Sequence, residues 1–208
     1  MASSKHHLSD QPLLRSHILD AARSIVVRQG FDALSMRKLA DVVGYSPASL
    51  YLHFSGRDAI AHALGAEGHA GLLAALHSYD STLDAVERVK SMAHAYVEFG
   101  RAHPEVYRLI YMQNAAYSEA IFNDASASGE TALSVFAHAL DVIGPAPGPA
   151  PLSAETLWAA LHGIVSLSLT ASKYLSAPAD VLIDSTLDLC LSGVKKKPVR
   201  RQPGARAG

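Results

Sequence analysis

Between Leu34 and Ile60 the chain reads LSMRKLADVVGYSPASLYLHFSGRDAI, and the punctuation of this stretch leaves little choice of local structure. Ser35 stands where a helix N-cap accepts from free backbone N–H groups, just before MRKLADVV. Leu39, Ala40 and Val43 recur at helical spacing, which turns Arg37, Lys38 and Asp41 elsewhere. Gly44 falls just past the last apolar position and suits a left-handed C-cap. Ser46-Pro47 then supplies a new N-cap and a proline at the first helical position, where no N–H is missed. In SPASLYLHF, Leu50 and Phe54 can face inward while Pro47, Ala48, Ser49, Tyr51 and His53 stay outside. Two short helices joined by a glycine turn make either a helix-turn-helix, whose second helix can enter the major groove of DNA, or an ordinary helical hairpin in a bundle.

The surrounding residues resemble the TetR-like transcriptional regulators of bacteria. The resemblance rests on Ile18, Ala21 and Ala22 of a first helix, Gly30-Phe31, Ser35 to Ala40, Val43 to Ser46, Leu50-Tyr51, His53-Phe54 and Arg57, and it covers roughly the first 60 residues. Two positions depart from the common pattern: Leu52 stands where a second aromatic often follows, and Arg57 where lysine is usual. The resemblance implies that Ser35, Ser46, Ser49, Tyr51 and His53 offer short neutral donors to phosphates, with Arg57 a cation beside them. Arg37 is either the candidate for a bidentate grip on a guanine or part of a solvated helix face, and Pro47 and Ala48 offer apolar contact, for example to thymine methyls. So plain a helix must lean on DNA shape as well.

Beyond the headpiece the pattern is helical throughout. Helices are expected at about 11–29, 36–43, 47–53, 56–77, 82–102, 104–113, 118–143, 153–176 and 179–194, with Gly144 to Pro151 a loop. The chain of 208 residues, 49% of them apolar, is long enough for a small DNA-binding unit and a larger core. The expected organisation is all-α with about nine helices: a flexible arm 1–10, a three-helix helix-turn-helix domain 11–57, an effector-binding and dimerisation domain 58–194, and a disordered basic tail 195–208. Charge follows the same divisions. Residues 1–60 hold seven Lys/Arg and five Asp/Glu, residues 61–194 hold five and fourteen, and the last fourteen residues hold six and none. An acidic middle is a poor partner for DNA, so contact falls to the headpiece.

The larger part offers a cavity's worth of mixed side chains. Tyr96 and Phe99, then Tyr107, Tyr111 and Met112, then Trp158, Leu161, His162 and Val165 supply apolar walls with hydroxyl, indole and imidazole tips. Trp158, His162 and Gly163 are similar to the Trp-His-Gly signature of one class of C-terminal domain in the TetR-like family, with weaker likeness at His103-Pro104-Glu105 and Tyr107. Plain core packing is the competing reading for every aromatic here. One recognition helix covers few base pairs, so a homodimer on symmetric half-sites is expected. By resemblance the last two helices pair across it, with Leu161, Leu169, Leu182, Leu189 and Val194 as the seam.

Other chemistry is missing from the pattern. No Gly-x-Ser-x-Gly elbow or His-Glu-x-x-His is present, and GAEGHAG at 65–71 lacks the preceding strand that a dinucleotide fingerprint needs. His62, His69 and His77 lie too far apart along a helix to share one ion, so neither a metal nor a cofactor is expected. No signal peptide stands out. The longest apolar stretch, Leu157 to Ala171, contains His162 and is too short to span a bilayer, so a cytoplasmic protein without membrane partners is expected. The lone Cys190 reads as buried in an apolar face. These readings converge on a DNA-binding regulator and not an enzyme: a repressor that leaves a palindromic, double-stranded operator when a small, largely apolar effector binds. An activator, or an effector-independent DNA-binding protein of the same fold, remains the alternative.

Overall fold

The computed structural model describes residues 6–78, 84–128, 130–144 and 150–192. Ten α-helices follow one another, and the described residues contain no strand. They form two compact units, Met1–Ala75 with Glu98–Thr131, and Leu76–Val97 with Ala132–Gly208.

The first unit is built on α1 (His6–Gln29), which buries Ile18, Leu19, Ala22, Ile25 and Val26 at three- and four-residue spacing. It begins already at His6, inside the stretch expected to be a flexible arm. After a single 3-10 turn at Phe31–Ala33 come α2 (Met36–Val43) and α3 (Pro47–Tyr51). Their caps are those the sequence specifies. The Ser35 side chain accepts from the Lys38 N–H at 3.2 Å, and that of Ser46 from the Ser49 N–H at 3.1 Å. Between them Gly44 sits at φ 75°, where a Cβ is strained, and both its N–H and that of Tyr45 return to the Ala40 carbonyl. Leu39, Leu50, Phe54 and Ile60 close over α1 to complete the headpiece core.

The same unit continues into α4 (Arg57–His77), the last turn of α5 (Ala85–Ala102), α6 (Pro104–Tyr111) and α7 (Ala115–Ser128). Leu64 and Leu109 join the headpiece core, so no gap in packing separates α4 and α6 from α1. Gly68 lets α6 come close: a Cβ there would fall on the Val106 side chain.

The second unit packs α9 (Ala150–Thr170) between α8 (Ala132–Ile143) and α10 (Ala179–Leu191), with the first turns of α5. Its core includes Val89, Met92, Tyr96, Phe136, Leu157, Leu161, Val165, Ile183 and Leu187. The expected single helix 118–143 is two, broken between Ser128 and Ala132. The stretch expected as helix to 176 leaves the α-helix at Thr170 for a 3-10 turn at Ser172–Tyr174. Helix α9 starts within the segment expected as a loop. Residues 195–208, read as a basic tail, lie outside the described residues. No described helix is long and apolar enough to cross a membrane.

Candidate functional site

The Ser46 cap opens α3, a short rod with one face buried through Leu50 and the opposite face open. Arg37, Pro47 and Ala48 are exposed, Ser49 and His53 half-buried, and Tyr51 is 54% exposed. The helix ends at Tyr51, two residues earlier than its apolar pattern suggests, because the His53 and Phe54 N–H groups both turn back to the Leu50 carbonyl. That early stop leaves Leu52 at 84% exposure. Ser46 and Ser49 hydroxyls meet at 2.9 Å, which spends one of each on the cap itself.

Arg57 opens α4 and is held by the headpiece. Its guanidinium lies over the Phe31 ring at 4.1 Å and donates to the Phe31 carbonyl at 3.0 Å and to Asp32 at 3.3 Å. Arg15 similarly covers the Phe54 ring at 4.8 Å. Both cations are therefore positioned by aromatic faces. A phosphate would meet pre-oriented guanidinium groups and not free side chains.

The residues expected to surround an effector divide between the units. In the second, Trp158 donates its indole N–H to the Tyr96 hydroxyl at 3.0 Å and lies 6.1 Å from the His162 ring. Tyr96 also meets Phe136 edge-on at 6.0 Å. Leu161 and Val165 are wholly buried there, so Leu161 serves the core and has no surface left for a second copy. In the first unit the Tyr107 and Tyr111 rings lie 4.9 Å apart, Met112 is at the surface, and Phe99 lies tilted against His103 at 4.9 Å.

Two residues that the sequence reading passed over complete the first-unit cluster. Phe122 lies 5.8 Å from Tyr111 and 5.8 Å edge-on from His69. His69 is only 3% exposed, and its Nε2 has no hydrogen-bond partner among the described residues. Burial lowers its pKa, so it stands neutral with a ring nitrogen to offer. The same burial lowers that of His162. The signal for His69 was present: Ala61, Gly65, His69, Leu72 and Leu76 repeat at helical spacing along α4, which puts the imidazole on the inward stripe.

Of the expected dimer seam, Leu189 is 77% exposed, Leu169 and Leu182 are half-buried, and Val194 lies outside the described residues. Cys190 is a half-buried free thiol whose pKa burial raises. Among the described residues no group of three His, Cys, Asp or Glu side chains could hold a metal ion.

Comparison with known proteins agrees with this layout. Residues 18–64 match the family described as bacterial regulatory proteins, tetR family, and residues 89–190 match the tetracyclin repressor-like C-terminal domain. An uncharacterised HTH-type transcriptional regulator of Bacillus subtilis, YobS, is 33% identical over 101 residues, 46% of this chain; the match spans half of that relative's length. A Rhodococcus protein of unknown function is similar in structure with a TM-score of 0.71 and 30% identity, over 87% of this chain and 95% of its own. The Bacillus subtilis transcriptional regulator FadR, solved with stearoyl-CoA, shares the fold with a TM-score of 0.65 and 14% identity, over 86% of this chain and 99% of its own. A capped helix-turn-helix, an all-helical architecture and both family matches give one conclusion: the chain is a DNA-binding transcriptional regulator of the TetR family.

Proposed function

We propose that this regulator is a repressor which binds a palindromic operator as a homodimer and leaves it when a small, largely apolar effector is bound. The observation that carries the ligand-responsive part is His69, a buried neutral imidazole set edge-on to the Phe122 ring with its Nε2 unpartnered among the described residues. A buried polar group without a partner costs stability, roughly 1–3 kcal/mol, and an effector donating a hydrogen bond to it would recover that cost. His69 sits on the helix whose first residue is Arg57, so an effector drawn to His69 acts on the element that leaves the headpiece. FadR, which shares the fold, was solved in complex with stearoyl-CoA, which supports an apolar effector here.

Within this reading Ser35, Ser46, Ser49, Tyr51, His53 and Arg57 set phosphate affinity, and Arg37, Pro47 and Ala48 read bases. The effector contacts His69, Tyr107 and Tyr111 of the first unit. Leu169, Leu182 and Leu189 form the seam between copies. A ligand shifts the equilibrium only by its differential affinity for the operator-bound and free states. The test is operator-duplex anisotropy with a panel of apolar acids, phenols and acyl thioesters, stearoyl-CoA included. Release by a compound that His69→Leu no longer answers supports the reading. A compound that binds tightly at His69 yet leaves operator affinity unchanged contradicts it.

A further inference from the structure

A cleft of about 330 Å³ opens in the first unit between α1, α4, the end of α5 and α6, and neither His69 nor the exposed face of α3 lines it. Its volume is at the low end for ligand sites, enough for one ring with a short chain. Val26, Leu64, Val106 and Leu109 make an apolar floor, and the Phe99 ring, tilted against His103, makes one wall. Phe99, counted by the sequence among the effector residues, thus faces a separate cavity.

Charge at the mouth selects what could enter. Arg23 reaches the cleft already gripped by Asp20 at 2.6 Å and by Glu67. One guanidinium shared by two carboxylates leaves an excess negative charge. An anionic ligand would find the Arg23 guanidinium already held by Asp20 and Glu67, with the Glu67 carboxylate in the lining to repel it, whereas a cation finds that half-exposed carboxylate and the Phe99 ring.

We propose that this cleft is a second ligand site, distinct from the effector cluster, and that it takes a small lipophilic ammonium: the apolar body on Val26, Leu64 and Leu109, and the nitrogen between Glu67 and Phe99. It does not depend on the repressor reading, since it concerns binding to the free chain. Gly71 on α4 gives access, because a Cβ there would meet Phe99 at an ordinary 3.6 Å and a longer side chain would extend into the opening.

The experiment is isothermal titration of the full chain with 3-phenylpropylammonium, 3-phenylpropanol and 3-phenylpropanoate at about pH 8, where the amine is protonated and the carboxylic acid ionised. The ammonium is expected to bind in the high-micromolar to millimolar range, at least about tenfold tighter than the alcohol, with the carboxylate weaker still. Glu67→Gln should reduce the ammonium to the level of the alcohol. Gly71→Leu should abolish binding of both while the thermal melt stays cooperative; if that variant fails to fold, Glu67→Gln alone decides. A carboxylate as tight as the ammonium, an ammonium preference that survives Glu67→Gln, or no ammonium binding at millimolar concentration would overturn the proposal. None of these outcomes bears on operator release, so the two readings fail separately.

Discussion

Tyr117 on α7 donates its phenolic hydrogen to Asp58 in the first turn of α4 at 2.7 Å, across 59 residues of sequence. The same ring meets Phe31 edge-on at 5.7 Å, and the face of Phe31 carries Arg57. One aromatic side chain therefore braces both the turn that leads into the helix-turn-helix and the cation at the start of α4. Tyr117→Phe keeps the ring and removes the bond, and should cost about 1 kcal/mol by denaturant titration. The hydrogen bond to Asp58, followed by burial, raises the Tyr117 pKa above 10.0. Its contribution is therefore complete below about pH 10 and is lost as pH rises through the folded-state value. The phenylalanine variant should lack that alkaline decline.

Two glycines of α4 separate packing from helix propensity. At Gly68 a Cβ would strike the short, stiff Val106 side chain, while at Gly71 it would find ordinary contact with Phe99. Alanine gains up to about 1 kcal/mol over glycine inside a helix, and overpacking costs roughly 1–3 kcal/mol. Gly71→Ala should raise the melting temperature and Gly68→Ala should lower it. Equal shifts in the same direction would mean that the close approach of α6 is not constrained at Gly68.

His69 gives the protein an acid-side dependence. Because burial lowers its pKa from 6.5 in the folded chain, the unfolded chain binds the proton first. Stability is full above about pH 6.5 and falls as pH drops toward the folded-state value. Burial of His162 adds a slope of the same sign. His69→Leu should flatten the stability profile below about pH 6.5, by roughly the share one histidine supplies. Urea midpoints measured across that range check it, and an unchanged profile would mean the imidazole is solvated.

Arg37 is an exposed headpiece cation with no ring or carboxylate contact among the described residues, whereas Arg15 and Arg57 both rest on aromatic rings. Arg37→Ala should weaken specific operator binding by about 1–3 kcal/mol and relax one base position, with little effect on random duplex. An equal loss on both DNAs would reassign it to the phosphate backbone and leave Pro47 and Ala48 as the only base-facing groups.

The headpiece was readable in the sequence because its determinants are local. Ser35, Gly44 and Ser46-Pro47 act within four residues of themselves, and their caps form where the residue types require them. Helix ends with no such punctuation were misjudged: α3 stops at Tyr51 because backbone N–H groups turn back to Leu50, which no side chain announces. The pairs that join distant parts of the chain were not legible. Tyr117 with Asp58, Arg57 with Phe31 and Phe122 with His69 are joined by folding and not by spacing, so their partners could not be named. Leu161 illustrates the reverse error, since an apolar residue on a broad helix face can serve the core or a second copy, and burial decides for the core.

The central claim is that α3 and Arg37 read a symmetric DNA site. It is tested most directly by DNase footprinting of the region upstream of the protein's own gene, with wild type and Arg37→Ala side by side. The account predicts a protected segment with two-fold symmetry that wild type covers at far lower concentration than the variant. Protection without symmetry, or identical protection by both proteins, would contradict it.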